Sequence, residues 1–297
     1  MDLICELFGK TRQAYYQRIK YEYKEQVKES IIVSMVQEIR TEQPRIGGRK
    51  LLELIIPKLQ GDLNIGRDAF FDLLGHEGLL VRKSKRRAVT TNSKHWLRMY
   101  KNLIRGFNPT AAHQLWVSDI TYIDTIDDGF MYLFLITDAY SRKIVGWCLS
   151  KTLEAENALT SLYMAISQLP ANVENLIHHS DRGVQYCSNK YVKQLESTGI
   201  RISMTENGDP RENAIAERVN GILKTEWLYC KSIKNKHDAL VEVNHAIKIY
   251  NEKRPHSSIN MLTPEQAHLM TVELKKRWKN YYRENYLKRK ELEKENV

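Results

Sequence analysis

Apolar residues change their spacing along this chain, and the changes mark out its elements. In "TRQAYYQRIKYEYKEQVKESIIVSMVQEIR" they recur every three to four positions, as at Ile32, Met35, Val36 and Ile39, so the stretch predicts a long helix that "PRIGG" then breaks. "GRKLLELIIPKL" and "RDAFFDLLGHEGLL" predict two shorter helices, separated by "QGDLNI". Short helices with a tight polar connection fit a helix-turn-helix, in which one helix crosses a nucleic-acid backbone and the next enters the major groove. A plain three-helix bundle fits the same pattern.

From residue 112 the spacing becomes that of extended chain. "QLWVSDITYIDT", "GFMYLFLITDAY" and "RKIVGWCLS" are β-rich runs divided by the turn signals "IDDG" and "SR", which implies an antiparallel meander. "EAENALTSLYMAISQL" then predicts an amphipathic helix, "NLIHHSD" a short buried strand, "NKYVKQLEST" a helix and "IRISMTE" a strand. A last helix, with Pro210 near its start, runs through "RENAIAERVNGILKTEWL". This order is that of an α/β ribonuclease-H-like core, a mixed five-stranded sheet covered by helices. The expected domains are a helical, helix-turn-helix-like region at 1–81, a basic linker at 82–111, the core at 112–230 and a basic helical C-terminal region at 231–297.

Charge follows the same divisions. The net charge of +10 resolves into +9 for residues 1–110, −5 for 111–230 and +6 for 231–297. Basic arms around an acidic middle point to nucleic acid, since Lys and Arg gain affinity by displacing phosphate counterions. Arg82, Lys83, Lys85, Arg86 and Arg87 fall within six residues, and they read either as a solvated run or as an arm along DNA. The C-terminal segment with Trp278, Tyr281, Tyr282 and many cations reads as an amphipathic helix or a DNA contact. The N-terminus has no signal-peptide pattern and no apolar run spans a membrane, so a cytoplasmic protein is expected. Cys5, Cys148, Cys187 and Cys230 lie far apart, which argues against a structural zinc site.

Three acids occupy informative places. Asp119 stands mid-strand among β-formers, where a solvated Asp fits poorly. Asp181 ends the "NLIHHSD" strand, and Glu217 lies four residues after Asn213 on one helix face. By contrast, Asp127 and Asp128 read as a turn, Asp138 as local support, and Glu212 and Glu226 as rotated off the Glu217 face. Converging carboxylates require cations, and oxygen ligands suit two Mg²⁺ ions, with Mn²⁺ as a substitute. Such a pair activates a water or 3′-hydroxyl and stabilises the leaving oxygen at phosphorus. Structural aspartates at strand ends remain an equal reading of these residues. Adjacent on a strand, His178 and His179 point to opposite faces and cannot easily share a zinc ion; one is expected inside and the other near the metal.

"WVSDITYI", "HSDRGVQY" and "NAIAERVNGILKTE", with 35 residues between Asp181 and Glu217, resemble the D-D-35-E core of retroviral-type integrases and insertion-sequence transposases. "YNEKRPHSSINMLTPEQA" is similar to the segment that follows the core in transposases of the IS-three group, in the product of the second reading frame. The resemblance covers roughly residues 10–270. It implies Asp119, Asp181 and Glu217 as catalytic metal ligands, and places the family's asparagine on Asn213 and its Arg-Pro-His on Arg254, Pro255 and His256. It further implies binding to terminal inverted repeats, cleavage and joining of double-stranded transposon-end and target DNA, and a homo-oligomer on paired ends. The upstream-frame protein, or a frameshift fusion with it, is a further implied partner.

Two departures from the family pattern matter. The third helix carries Asp72 and Gly75 where basic residues are usual, leaving Arg67 for DNA. Arg218 replaces a small polar residue after Glu217 and is expected on a phosphate, while Arg182 and Gly183 read as a bend that admits DNA. A regulator that lost catalysis is disfavoured by the intact trio, and a ribonuclease acting on RNA–DNA hybrids by the basic N-terminal region.

Overall fold

The computed structural model describes residues 7, 9, 11–61, 63–82, 97–206, 210–275 and 277. Lys83, Lys85, Arg86, Arg87 and the segment with Trp278, Tyr281 and Tyr282 lie outside them. The chain forms two compact units, Met1–Ser84 and Lys85–Val297. Among the described residues, no helix is long and apolar enough to cross a membrane.

In the first unit α1 (Arg12–Glu42) starts at Thr11, whose hydroxyl accepts the Ala14 N–H at 3.1 Å. Only Ile32 and Val36 of this helix are fully buried. They meet Leu51, Leu52 and Ile55 of α2 (Gly48–Ile55) and Phe70, Leu73 and Leu74 of α3 (Arg67–His76) in one core. A single-turn 3₁₀ helix, Ile56–Lys58, ends α2 where Pro57 denies it another amide donor.

The second unit is built on a five-stranded sheet of order β3-β2-β1-β4-β5. β1 (Leu115–Thr125), β2 (Gly129–Asp138) and β3 (Ile144–Ser150) pair antiparallel, and β4 (Ile177–Ser180) and β5 (Arg201–Met204) add parallel beyond β1. That is the ribonuclease-H-like arrangement the run order predicts. Alternation along β2 shows why both faces are covered. Phe134 and Ile136 pack with Trp116 under α4 (Ala155–Ile166), α5 (Val184–Cys187) and α6 (Asn189–Ser197). Met131, Leu133 and Leu135 point the other way, to α7 (Ala214–Glu226) and α8 (Lys236–Glu252). Gly146 lets α4 lie directly on β3, since a Cβ there would stand 2.1 Å from the Ser161 carbonyl oxygen.

Two segments expected at the margins belong to this core. Residues 97–104 fall in the stretch read as a linker, yet Leu97 and Tyr100 pack on one face and Leu103 and Ile104 beside Leu115 and Val117 on the other. Leu103 N–H donates to Ser203 Oγ at 2.9 Å. Past residue 230, Ile233, Ala239, Val243 and Ile247 share the cluster with Leu133 and Leu135, and α9 (Pro264–His268) starts at a Thr263–Gln266 capping box. An amphipathic helix buries its apolar stripe wherever a sheet face is available, and a basic outer face in sequence does not reveal which surface that is.

Candidate active site

Asp119 and Asp181 are brought together by strand register. β1 and β4 run parallel with Val117 opposite His179, an offset of 62 positions, and the same 62 separate Asp119 from Asp181. Neighbouring strands lie about 4.8 Å apart. Asp119 thus stands two residues past the last position of β1 paired with β4, and Asp181 one residue past the end of β4 at Ser180, near enough that the charge of Asp181 acts on Asp119. Asp181 folds back on its own loop, its Oδ1 accepting the Gly183 N–H at 3.0 Å. Gly183 was expected to admit DNA by bending. Its φ of −63° is ordinary, and what it provides is room, because a Cβ would stand 3.0 Å from Asp181 Oδ1.

α7 crosses this face. Asn213, Glu217, Asn220 and Lys224 recur at helical spacing along one stripe. Asn213 Nδ2 donates to the Ser118 carbonyl at 2.9 Å, and Asn220 Nδ2 donates to Asp119 Oδ2 at 2.7 Å. Asp119 Oδ1 accepts the Ile120 N–H at 2.9 Å. Burial, then Asp181, and least Glu217, nevertheless push the Asp119 carboxyl up to about 7 against the pull of those two donors. Burial also lowers the Lys224 ammonium, which the charge of Asp119 partly restores. Glu217 is exposed on the first turn of α7. Among the described residues, no three His, Cys, Asp or Glu side chains stand close enough to ligate one ion. Oxygen donors under mutual repulsion fit a hard divalent ion by chemistry and field.

Asn220 and Lys224 were missed in the sequence, although their positions seven and eleven after Asn213 put them on the Glu217 face. Several residues expected on DNA are committed elsewhere. Arg254, 1% exposed, bonds Glu226 through Nε and Nη2, each at 2.7 Å. His256 is buried with Nδ1 on Ser258 Oγ at 2.9 Å, and Asn213 is buried on Ser118. A buried arginine held bidentately by a carboxylate has its fork committed within the protein. Arg218 and Arg67 are exposed, Arg67 with Nε on its neighbour Asp68 at 2.8 Å, and Arg182 is half-buried.

Both histidines of the "HHSD" run are buried, including the one expected near the metal. His178 Nε2 meets Ser118 Oγ at 2.7 Å and Tyr191 Oη at 2.9 Å, and His179 Nδ1 meets Ser203 Oγ at 2.8 Å. Burial drives them down to about 3 and about 4, so both are neutral at physiological pH. Of the acids set aside in the sequence, Asp138 binds its own turn, Asp128 pairs with Lys151 at 2.6 Å, and Glu212 Oε2 accepts the Glu206 N–H at 2.6 Å.

Comparison with known proteins points the same way. Two models described as integrase core domain match residues 109–210 and 198–264. The insertion element IS600 31 kDa protein of Shigella sonnei is 34% identical over 279 residues, 91% of this chain and 100% of that protein. Transposase InsF for insertion sequence IS3A of Escherichia coli (strain K12) is 33% identical over 195 residues, 65% of this chain and 67% of InsF. The HTLV-2 integrase catalytic core domain in complex with magnesium aligns at 19% identity and a TM-score of 0.41, over 53% of this chain and 97% of that one. With a relative matched along its whole length and an integrase core spanning the Asp119–Asp181 face, the chain belongs to the IS3-type insertion-sequence transposases, enzymes of DNA transposition that act by polynucleotidyl transfer.

Proposed function

We propose that Asp119, Asp181 and Glu217 are the catalytic residues and hold two divalent ions, Mg²⁺ or Mn²⁺, for cleavage and joining of DNA at the ends of the element. The observation that carries this reading is the aspartate pair at the ends of neighbouring strands, with the Asp119 carboxyl raised to about 7 by burial and by its neighbour. When bound, the ions supply Lewis acidity for a water or 3′-hydroxyl and for the leaving oxygen.

The protein's part is orientation and charge. Asn220 fixes which Asp119 oxygen turns to α7, and Asn213 fixes the start of that helix against β1. Lys224 brings a cation within the field of Asp119. Arg218, exposed beside Glu217, and Arg182, beside Asp181, contact the DNA backbone. In the first unit Arg67 and α3 meet the terminal inverted repeats, with Lys83, Lys85, Arg86 and Arg87 along the phosphates. The active form is a homo-oligomer on paired DNA ends in the bacterial cytoplasm, alone or fused to the upstream-frame protein.

The test is strand cleavage and joining on an end duplex in Mg²⁺. Asp119→Asn, Asp181→Asn and Glu217→Gln should each lose at least about 10²–10³-fold in rate while retaining end binding. Robust strand transfer by any one of them would sink the assignment. Arg218→Ser should weaken binding and flatten its salt dependence by about one phosphate contact.

A further inference from the structure

The segment "YNEKRPH" turns inward and ties two parts of the core together. Tyr250 Oη donates to the Arg142 carbonyl at 3.0 Å. The Asn251 amide brackets Ile144, donating to its carbonyl and accepting its N–H, both at 3.0 Å, so a side chain takes the place of a further strand on the β3 edge. Arg254 follows, its guanidinium carbon 5.8 Å from the centre of the Tyr250 ring and its fork on Glu226. Glu226 is the last residue of α7, and Glu217 stands on that helix's first turn.

We infer that Arg254 is a positioning residue for Glu217, acting through Glu226; the inference rests on Glu217 being catalytic. Asn213 to Ser118, at the start of α7, and Asn220 to Asp119, at its middle, are directional bonds that both run to β1. Two anchors define a line about which a rigid helix can still turn. The apolar contacts of Val219, Ile222 and Leu223 are non-directional and resist such a turn weakly. The Arg254–Glu226 fork is a third anchor at the far end, and it fixes the angle. At a side-chain radius of about 6 Å, a turn of roughly 10° moves a carboxylate by about 1 Å. A displacement of that size in a catalytic group can cost about a hundredfold in rate. Lysine keeps the charge at this position but not the fork.

The experiment compares Arg254→Lys, Glu226→Gln and the double variant in the full chain, on an end duplex with Mn²⁺. Circular dichroism sets an assay temperature at which each is folded, and Glu226→Gln, which keeps the shape of its side chain, serves if the lysine variant melts too early. Both single variants should bind the duplex with wild-type affinity and salt slope. Their kcat should fall by about ten- to a hundredfold with KM unchanged, and several-fold more Mn²⁺ should be needed for half-maximal rate. The double variant should be no worse than either single one. Wild-type kcat in folded Arg254→Lys, with Glu217→Gln inactive, overturns the positioning role alone. Lower DNA affinity with a smaller salt slope overturns it in favour of a phosphate contact. Full activity of Glu217→Gln overturns the catalytic assignment, and this role with it.

Discussion

Asp138 closes β2 fully buried, and four donors meet its carboxylate: the N–H groups of His113, Tyr140 and Ser141 and the Ser141 hydroxyl, at 2.8 to 3.1 Å. Asp119, on the neighbouring strand, receives two donors and faces two more carboxylates, and its carboxyl is pushed up to about 7. The residue type and sheet are alike, but Asp119 is half-buried where Asp138 is fully buried, and the surroundings differ in sign. Where a buried charge is fully met by donors the residue holds structure together; where it is met by like charges the fold stores a need for a cation.

That contrast can be broken first at its structural end. Asp138→Ala leaves four buried donors without their acceptor and should cost more than about 3 kcal/mol. For a unit of this size that lowers the melting temperature by roughly 6–12 °C. Calorimetry checks it, and a melting point within a degree or two of wild type would mean that the network contributes little.

The active end should respond in the opposite direction. A carboxyl raised in the folded state favours its protonated form, so its stabilising share is present below the ordinary Asp value and is lost as pH rises through about 7. Without divalent ions, Asp119→Asn should therefore melt a few degrees above wild type at pH 8, by roughly 2–4 °C per kcal/mol. Near pH 4 the two should coincide. A lower melting point for the variant at pH 8 would show that the charge is well tolerated there.

The histidine pair offers a further handle. His178 and His179 are held neutral, at about 3 and about 4, so their share of stability is present above the ordinary histidine value near 6.5 and declines as pH falls from there. Denaturant unfolding between pH 7 and pH 5 should show this decline, and His178→Gln should make it shallower. An unchanged slope would place the acid sensitivity elsewhere.

The order of elements was legible because a period of two and a period of 3.6 leave different marks, and the meander of β1 to β3 and the helix at 155–166 follow from it. Asp119, Asp181 and Glu217 could be singled out by place, and their joining through resemblance. The physical reason for the aspartate pair, the parallel pairing of β1 with β4 just before both residues, is a property of pairing between strands and has no local signal. The burial of Arg254 and His256 was illegible for a related cause. In a basic segment a cation reads as surface, and only the distant Glu226, 28 positions upstream, turns Arg254 into a buried anchor. Asn220 was legible in principle, three residues past Glu217 on the same face, but its role depends on Asp119 lying beneath it, 101 positions upstream.

One titration bears most directly on the account. Mn²⁺ binding to the full chain on an end duplex, followed by calorimetry, should show uptake by wild type and by a folded Arg218→Ser control. Asp119→Asn and Asp181→Asn should each weaken it by at least about tenfold, or 1.4 kcal/mol. Wild-type Mn²⁺ affinity in either aspartate variant would contradict the reading that the repelling pair is built for a metal ion.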